Sequence, residues 1–443
     1  MKNNLTSSIA EFVSAADQAH IPPSSMDMAQ RAFIDLTGVM LAAGDEPVVR
    51  KLVEHTADSR GSCPVLLQRQ HQRSASAAAL INGTAAHALD YDDVQFNAHP
   101  STVLVPALLA ASALLPVSGA RLLRAYVVGY EVWGELHSRE PLAYHDKGWH
   151  PTSVLGTPAA AAAIAYLRGM GKLATQTVLS LAGSFTGGVV ANFGAMSKSI
   201  HAGRAASAAV SAVEMADLGI TAGEDGLGGL LLALSPRGGV NVAATHALGE
   251  KWFSVSRPLV FKKYPVCFAT HRPLDAMLEL VASNDIRPEE IDRVVVEIRA
   301  TQAQLLRFDR PQTGLEAKFS MQFAAACALL RRRVTLADLA DGFVTSPDMQ
   351  ALIKRVQLVE RAAQHDGTPA IADRVVIHLR DGRSLDSGEI MAVQPHLNLR
   401  EKFLDCCSAA GRSDGERLLQ ILERLQETDD LNQLVTEDLS ERR

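Results

Sequence analysis

The feature of this sequence that most constrains its fold is a series of alanine-rich apolar stretches between residues 8 and 250. Four of them are apolar on nearly every side when placed on a helix: 74–88, 101–115, 158–168 and 205–218. A helix that is apolar all round must lie inside other structure, and small side chains let neighbouring helices approach closely. The pattern therefore predicts a bundle of buried helices.

The sequence changes character after Trp252. Residues 293–299 and 374–380 alternate in polarity and are rich in β-branched side chains, which predicts two strands. The second is followed by Asp381 and Gly382, a typical hairpin turn, and by a third candidate strand over 383–390. Because helical patterns over 315–331 and 346–356 lie between them, residues 258–393 are predicted to form an α+β domain with few strands.

The last stretch, 397–443, returns to a helical pattern with closely spaced apolar residues between 418 and 425. We expect it to pack back on the first helices, which makes the α+β domain an insertion. The predicted fold class is mainly α. A large all-helical domain is formed by both termini, residues 1–257 and 394–443, and the inserted smaller α+β domain covers 258–393.

Composition excludes several classes of protein. The chain of 443 residues has 43 Lys and Arg against 49 Asp and Glu, 5% aromatic residues and no basic tract, which argues against nucleic-acid binding. Its first twenty residues have no apolar signal core, and its longest apolar run, 102–117, is too short to span a bilayer. Five cysteines without CxxC spacing favour the reducing cytoplasm and predict no metal or iron–sulfur site.

Polar clusters interrupt the apolar background. The first contains His87, Asp90, Asp92 and Asp93, with His99 shortly after them. Carboxylates and imidazoles beside buried helices are unfavourable unless they are paired. Two interpretations stay open: a solvated helix end, or a carboxylate–imidazole pair in which the carboxylate orients a general base.

Two further clusters lie at predicted helix starts. His150 precedes a proline ahead of an alanine-rich helix, where the helix dipole disfavours the imidazolium and attracts anions. It is either part of a helix cap or a site histidine. Lys198, His201 and Arg204 fall on one side of a helix and form either a basic surface or an anion site. Because their neighbours are small or apolar, we favour the anion site.

The fourth cluster, 261–272, lies at the predicted domain junction, where clefts usually form. Cys267 is the one nucleophile candidate there, but it has no base beside it in sequence, which favours a buried bystander thiol. The other side chains can donate protons or bind anions: Lys262, Lys263, Tyr264, His271 and Arg272.

The clusters together offer several cations and histidines with nearby carboxylates. The sequence has no P-loop and no GxGxxG after a strand, which argues against phosphoryl and hydride transfer. Such an inventory suits removal of a proton next to a carboxylate. Fixed cations stabilise the developing enediolate, and a base tuned near neutrality takes the proton.

The polar motifs, taken in order, resemble those of the MmgE/PrpD family: 87–93, 99–101, 150–153, 197–206, 261–272 and 318–323. The resemblance implies a lid role for the α+β domain, a homodimer, and a cofactor-free, metal-free active site between the domains. The catalytic residues are then expected to be Asp90, His99, His150, Lys198, His201, Lys262 and Tyr264. The substrate-binding residues are expected to be Asp93, Arg204, Lys263, Cys267, His271 and Arg272.

The family includes 2-methylcitrate dehydratase, cis-aconitate decarboxylase and iminodisuccinate epimerase. This chain has Val94, Cys267 and Phe323 where the decarboxylases have threonine, histidine and tyrosine. We therefore expect a lyase that removes water from a small hydroxy di- or tricarboxylate similar to 2-methylcitrate. The alternatives are an epimerase of an amino-dicarboxylate such as iminodisuccinate, a cis-aconitate-type decarboxylase, or an idle carboxylate-binding protein with the same fold.

Overall fold

The computed structural model describes residues 4–140, 144–235, 238–361, 372–391 and 397–435, and it is mainly helical. The α-helices are α1 Leu5–Ala15, α2 Pro23–Ala42, α3 Pro47–His55, α4 Ala75–Ala88, α5 Ser101–Ser112, α6 Gly119–Ser138, α7 Pro151–Val154, α8 Gly156–Leu167, α9 Lys172–Ser184, α10 Ser197–Asp217, α11 Gly226–Leu234, α12 Phe253–Ser256, α13 His271–Asn284, α14 Ala300–Ala303, α15 Gly314–Ala317, α16 Met321–Arg331, α17 Asp341–Val344, α18 Pro347–Ile353, α19 Leu399–Ala409 and α20 Gly415–Glu423. The strands are β1 Cys63–Val65, β2 Gln68–Arg73, β3 Ile291–Arg299, β4 Val356–Arg361, β5 Arg374–Leu379 and β6 Ser384–Asp386.

One hydrophobic core joins helices from both ends of the chain. It contains buried side chains of α1 to α11 together with Phe403, Cys406, Leu418 and Leu422 of α19 and α20. These two late helices pack against α2. We call α1–α12 with α19 and α20 the helical region. Residues 436–443 of the predicted last helical stretch lie outside the described residues.

Helices α4 and α10 lie unusually close together because two glycines meet between them. A Cβ atom on Gly83 would lie 2.9 Å from the Cα of Gly203. A Cβ atom on Gly203 would lie 2.2 Å from the carbonyl oxygen of Leu80, so no larger residue fits there without a backbone shift. This approach brings the start of α10 to the loop that follows α4.

A second core forms around a four-stranded sheet of order β4-β3-β5-β6, with β3 and β4 parallel and the other pairs antiparallel. Helices α13 and α16 pack together over it, and we call α13–α18 with β3–β6 the α+β region. Strands β3 and β5 occupy the two predicted segments, whereas β6 covers only three residues of the third. The predicted domain boundary at 393 and 394 lies outside the described residues.

Two secondary-structure predictions were wrong. The domain predicted to be all-helical, residues 1–257 and 394–443, contains the antiparallel hairpin β1–β2. Strand β2 consists of polar residues only, so it carries no alternation that could reveal it. The helix expected over 346–356 ends at Ile353, and Val356 begins the edge strand β4, in which only that first residue is buried. Within the described chain, no helix is both long and apolar enough to cross a membrane.

Candidate active site

The loop between α4 and α5, residues 89–100, brings most of the first polar cluster together. Asp90 has a left-handed backbone with φ of 51°, a conformation that aspartate tolerates better than most residues. Further along, the N–H of Val94 donates to the carbonyl of Val260 at 2.8 Å, and the reverse bond measures 3.1 Å. This pairing fixes the loop beside the segment that carries Lys262.

Asp90 is the centre of a buried lysine–aspartate group. Lys262 Nζ lies 2.7 Å from Asp90 Oδ2 and also donates to the Asp90 carbonyl at 2.7 Å. Lys198, in the first turn of α10, pairs with Asp90 Oδ1. Burial raises the pKa of Asp90, but the two ammonium groups outweigh burial and hold that pKa well below its ordinary value. The group therefore consists of one carboxylate and two cations, all nearly inaccessible to solvent.

A second group joins two imidazoles through one carboxylate. Asp92 Oδ1 lies 3.0 Å from His87 Nδ1, and Asp92 Oδ2 lies 2.5 Å from His99 Nδ1. His99 Nδ1 is also 3.1 Å from the carbonyl of Asp93. Burial raises the pKa of Asp92, but the opposite effect of His99 and His87 is larger and holds this pKa well below its ordinary value. Asp92 is therefore an anion. Asp92 thereby orients both rings through their Nδ1 atoms.

His150 and His201 form an imidazole pair. Their Nδ1 atoms are 3.1 Å apart, so one ring donates and the other accepts. The His150 ring stacks on His87 with centroids 5.8 Å apart and meets Phe193 edge-on at 4.8 Å. Burial, together with His87 and Lys198, lowers the pKa of His150 well below its ordinary value. His150 is therefore neutral at physiological pH.

The backbone around His150 fixes where its ring lies. His150 precedes α7, whose first residue is Pro151, and its N–H donates to the carbonyl of Gly188 at 3.0 Å. Proline at the first helical position needs no hydrogen-bond partner for its nitrogen. The sequence thus places the imidazole at the entrance of a helix and not inside one.

Lys402 supports this assembly from α19, far along the chain. Its buried Nζ donates to the carbonyls of Tyr91 at 2.7 Å and of Lys262 at 2.9 Å, and it lies 2.7 Å from Asp35 Oδ1. It also lies 4.0 Å from the centroid of the Tyr91 ring. One ammonium therefore holds the backbone next to Asp90 and the backbone of Lys262.

His87, Asp92 and His99 are also close enough to be considered as metal ligands, with their ligand atoms within 4.8 Å of one another. In a zinc site the bond lengths place ligand atoms about 3 Å apart or more. The distance of 2.5 Å between His99 Nδ1 and Asp92 Oδ2 is shorter than that. The present geometry is thus that of hydrogen-bonded imidazoles.

The structure brings together the four residues on which the sequence-based hypothesis depends most: His99, His150, Lys198 and Lys262. The His87 ring contacts both His99, at 4.5 Å between centroids, and His150. Lys198 starts the same helix that carries His201 one turn later. The arrangement places neutral imidazoles beside fixed ammonium groups in a mostly buried site.

Comparisons with known proteins agree with the sequence motifs. The model of the MmgE/PrpD N-terminal domain matches residues 7–229, and that of the MmgE/PrpD C-terminal domain matches residues 264–428. The chain belongs to the MmgE/PrpD family. The resemblance inferred from its motifs is thereby confirmed.

Curated relatives cover almost the whole MmgE/PrpD chain. It is 27% identical to the cis-aconitate decarboxylase of Mus musculus, over 98% of this chain and 93% of that protein. It is 26% identical to the cis-aconitate decarboxylase of Homo sapiens, over 98% and 95%. A cis-aconitate decarboxylase-like protein of Aspergillus oryzae is 24% identical over 95% and 93%. These relatives support a lyase.

Several predicted substrate-binding residues of this MmgE/PrpD protein lie outside the buried groups. Arg204 is exposed, so the predicted row of three cations on α10 does not extend to it. The reason is geometric: at 3.6 residues per turn Arg204 lies about 120° around α10 from Lys198, and its side chain is exposed although residues 205–210 after it are buried. Arg272 pairs with Asp373 inside the α+β region at 2.8 Å and donates to the carbonyl of Met391.

Three more residues of the fourth cluster make contacts within the α+β region. Tyr264 donates to Asp275 Oδ1 at 2.8 Å, and Lys263 pairs with the same carboxylate, so both attach the cluster to α13. His271 is fully buried at the start of α13, with its Nε2 3.3 Å from the carbonyl of Val266. These contacts fix the positions of Lys263, Tyr264 and His271, and their predicted catalytic and substrate-binding roles stay predictions.

Cys267 lies near the lysine–aspartate group, but its thiol is buried and neutral. It is 8% exposed and belongs to the second core. Burial and Asp90 raise the pKa of its thiol, while Lys262 acts in the opposite direction. A neutral, buried thiol agrees with the bystander interpretation of Cys267.

Asp93 lies under the site and not in it. It is fully buried, and its Oδ1 accepts the N–H of Ser101 at 3.3 Å. Burial raises the pKa of Asp93 to about 8, so this carboxyl is largely protonated at neutral pH. The contact that the structure gives its side chain is with Ser101, and its predicted contact with substrate stays a prediction.

The raised pKa of Asp93 gives a test by unfolding. The folded state holds this proton between pH 3.8 and about 8, where the unfolded state has lost it, so stability falls as pH rises through that window. In urea unfolding we expect the free energy of unfolding of the wild type to fall between pH 5 and pH 8, and that of Asp93→Asn to fall less over the same range. Asp292→Asn, at an exposed site, is the control. An unchanged pH dependence in Asp93→Asn would contradict the assignment.

The predicted catalytic and substrate-binding residues did not include four that the structure places in or beside the site: His87, Asp92, His145 and Lys318. His87 and Asp92 were visible in the first cluster, but their pairing depends on loop geometry. His145 lies 6.4 Å from His150 between ring centroids, and burial with His99 and Lys198 lowers its pKa to about 4. A second histidine five residues before His150 was the available signal.

Proposed function

We propose that this protein is a lyase that removes water from a small hydroxy di- or tricarboxylate of the 2-methylcitrate type. The observation that carries the proposal is a neutral imidazole pair, with His150 buried and His201 partly exposed, next to a buried group with two ammoniums and one carboxylate. An excess positive charge in a buried site favours an anionic ligand. A neutral imidazole beside that ligand can accept a proton.

His150 is the proposed general base. Its low pKa keeps it neutral, and its Nδ1 lies 3.1 Å from His201 Nδ1, so that in the tautomer in which His150 Nδ1 donates to His201, the Nε2 of His150 can accept a proton. His150 takes the proton from the carbon next to a substrate carboxylate that Lys198 and Lys262 bind, and Lys262 stabilises the enediolate that develops. The imidazolium that forms is disfavoured by its surroundings, so it returns the proton readily.

His99 is the proposed general acid. Its side chain is 15% exposed, and Asp92 Oδ2 lies 2.5 Å from its Nδ1, which orients the ring. As the carbon–oxygen bond to the hydroxyl group breaks, His99 donates a proton and water leaves. The electron pair of the broken C–H bond forms the new double bond, so the products are an unsaturated acid and water.

Decarboxylation of cis-aconitate is the second candidate, because the curated relatives are named for that reaction. Here carbon dioxide leaves and an acid protonates the carbon. Three positions argue against it. Val94 pairs its backbone with Val260, Cys267 is a buried neutral thiol, and Phe323 is fully buried in the second core. None of these three side chains can replace the proton donor, threonine, histidine or tyrosine, that the resemblance gives for decarboxylases at the same position.

A substrate panel separates the candidates. We expect 2-methylcitrate or a related hydroxy acid to gain ultraviolet absorbance from a new conjugated double bond, without release of carbon dioxide. Carbon dioxide release from cis-aconitate with no elimination from hydroxy acids would establish the decarboxylase instead. Solvent deuterium incorporation into iminodisuccinate without new absorbance would establish the epimerase. Absence of turnover together with carboxylate binding would establish an idle binding protein.

Lys198→Ala tests the role of the lysine–aspartate group. The Lys198 ammonium is proposed to bind a carboxylate of the substrate equally in the ground state and in the transition state. We therefore expect KM of the variant to rise about tenfold or more, with kcat little changed. Steady-state kinetics on the identified substrate measure this, with the exposed Lys251→Ala as the matched control. A lower kcat at unchanged KM would instead make Lys198 a proton donor.

A further inference from the structure

Lys318 adds a third buried ammonium next to the lysine–aspartate group. It follows α15 in the α+β region, and its side chain is 4% exposed. Its Nζ donates to the carbonyl of Ala88 at 2.8 Å. Ala88 ends α4, two residues before Asp90, so Lys318 reaches from the α+β region to the beginning of the active-site loop.

Two neighbouring contacts fix Lys318 in this place. The ring of Phe319, the next residue, lies with its centroid 4.7 Å from Lys198 Nζ. The N–H of Cys267 donates to the Lys318 carbonyl at 2.8 Å. Burial lowers the pKa of Lys318, and Lys198 and Lys262 act in the same direction, against Glu46 and Asp90. The three ammonium groups therefore share one electrostatic environment.

Lys318 is paired with a carboxylate less closely than the other two lysines are. Asp90 pairs with Lys198 and Lys262, and Asp92 is engaged by two imidazoles. The carboxylate nearest to Lys318 among the described residues is Glu46, at 3.9 Å, and it is partly exposed. Lys198 and Lys262 each have a carboxylate oxygen within hydrogen-bond distance, whereas Lys318 has none among the described residues. A buried charge of this kind is costly unless an anion meets it.

The Lys318 ammonium also has hydrogen-bond donors to spare. An ammonium carries three N–H groups, and the Ala88 carbonyl accepts one of them. A carboxylate oxygen can therefore be bound without breaking the contact to Ala88. Charge-assisted hydrogen bonds of this type are the strong ones in proteins.

We propose that Lys318 binds a second carboxylate of the substrate, separate from the one held at Lys198 and Lys262, and thereby selects dicarboxylates over monocarboxylates. This inference rests on the proposed function, because it assigns the substrate class of the same site. Its competitor is a purely structural role, in which Lys318 connects the two regions through Ala88 and Glu46.

Titration calorimetry of the full chain with non-reacting succinate and propionate tests the proposal, since these ligands differ by one carboxylate. We expect wild type to bind succinate more tightly than propionate. Lys318→Met should weaken succinate binding about ten- to a hundredfold and leave propionate binding unchanged. Equal weakening of both ligands, or unchanged succinate binding, would overturn the proposal.

Glu46→Gln is the matched control, because it removes the nearest carboxylate and keeps the ammonium. We expect this variant to bind succinate at least as well as wild type, whereas a loss equal to that of Lys318→Met would establish the structural role. Should Lys318→Met fail to fold, Lys318→Gln retains a donor for Ala88 without the charge, and the same outcomes apply. Since neither ligand reacts, failure here is distinct from failure of the proposed elimination, which only the substrate panel measures.

Discussion

Replacing His150 with alanine should lower kcat by about a hundredfold or more while the protein remains folded. The reason is the environment of the ring: burial, with His87 and Lys198, lowers its pKa and keeps it neutral, and His201 Nδ1 lies 3.1 Å from its Nδ1. No other described imidazole combines this burial with the same position next to His87. The measurement is steady-state turnover of the substrate identified by the panel, with circular dichroism and thermal unfolding recorded on the same sample.

His378→Ala is the control for this prediction, since His378 lies on β5 and its Nδ1 contacts only the Ser384 hydroxyl at 2.8 Å. It should retain wild-type activity. The pH profile gives an independent readout, because a base with a lowered pKa stays neutral into acid. The acidic limb of kcat/KM should therefore lie below pH 6.5. Activity unchanged in His150→Ala would show that another group is the base.

Replacing Lys402 with methionine should destabilise the protein by about 3–5 kcal/mol, because it leaves the Asp35 carboxylate buried without its cation. Asp35 and Lys402 are almost completely inaccessible to solvent and lie 2.7 Å apart. Burial already raises the pKa of Asp35 despite the partner, which indicates how costly the lone carboxylate is. Urea unfolding at pH 7 measures the change.

Arg400→Ala is the matched control on the same helix. Arg400 pairs with Glu416 and Glu423 at the surface, where such pairs contribute about 1 kcal/mol or less. The double variant Asp35→Asn/Lys402→Met should regain part of the stability lost in Lys402→Met, because the uncompensated charge is gone. A Lys402→Met loss no larger than that of Arg400→Ala would refute the role given to this buried pair.

Much of the fold could be predicted from hydrophobic pattern. The alanine-rich segments became α4, α5, α8 and α10, because small apolar side chains suit helices that are buried on all sides. The hairpin β1–β2 could not be predicted, since β2 is polar throughout and its partner has three residues. Strand β4 was missed because an edge strand with one buried residue leaves no clear period.

The candidate site could be predicted as a set of residues but not as a set of pairs. Sequence patterns indicated Asp90, Asp92 and Asp93 together without separating their partners. The left-handed backbone at Asp90 turns this carboxylate toward the lysines, and Asp92 meets the imidazoles. Asp93 is buried below them. The three carboxylates point in different directions because the backbone torsion angles change over these four residues. The spacing of the aspartates in the sequence does not reveal those angles.

The contacts of Lys402 have a consequence for how the protein is made. A nascent chain that has reached residue 318 already carries every histidine and lysine proposed to meet the substrate. It still lacks Lys402, whose ammonium holds the carbonyls of Tyr91 and Lys262. Translation must continue through α19 before that support exists. Ribosome-bound chains halted before this helix are therefore expected to bind ligand poorly. The ability to bind ligand should appear late, near the completion of synthesis.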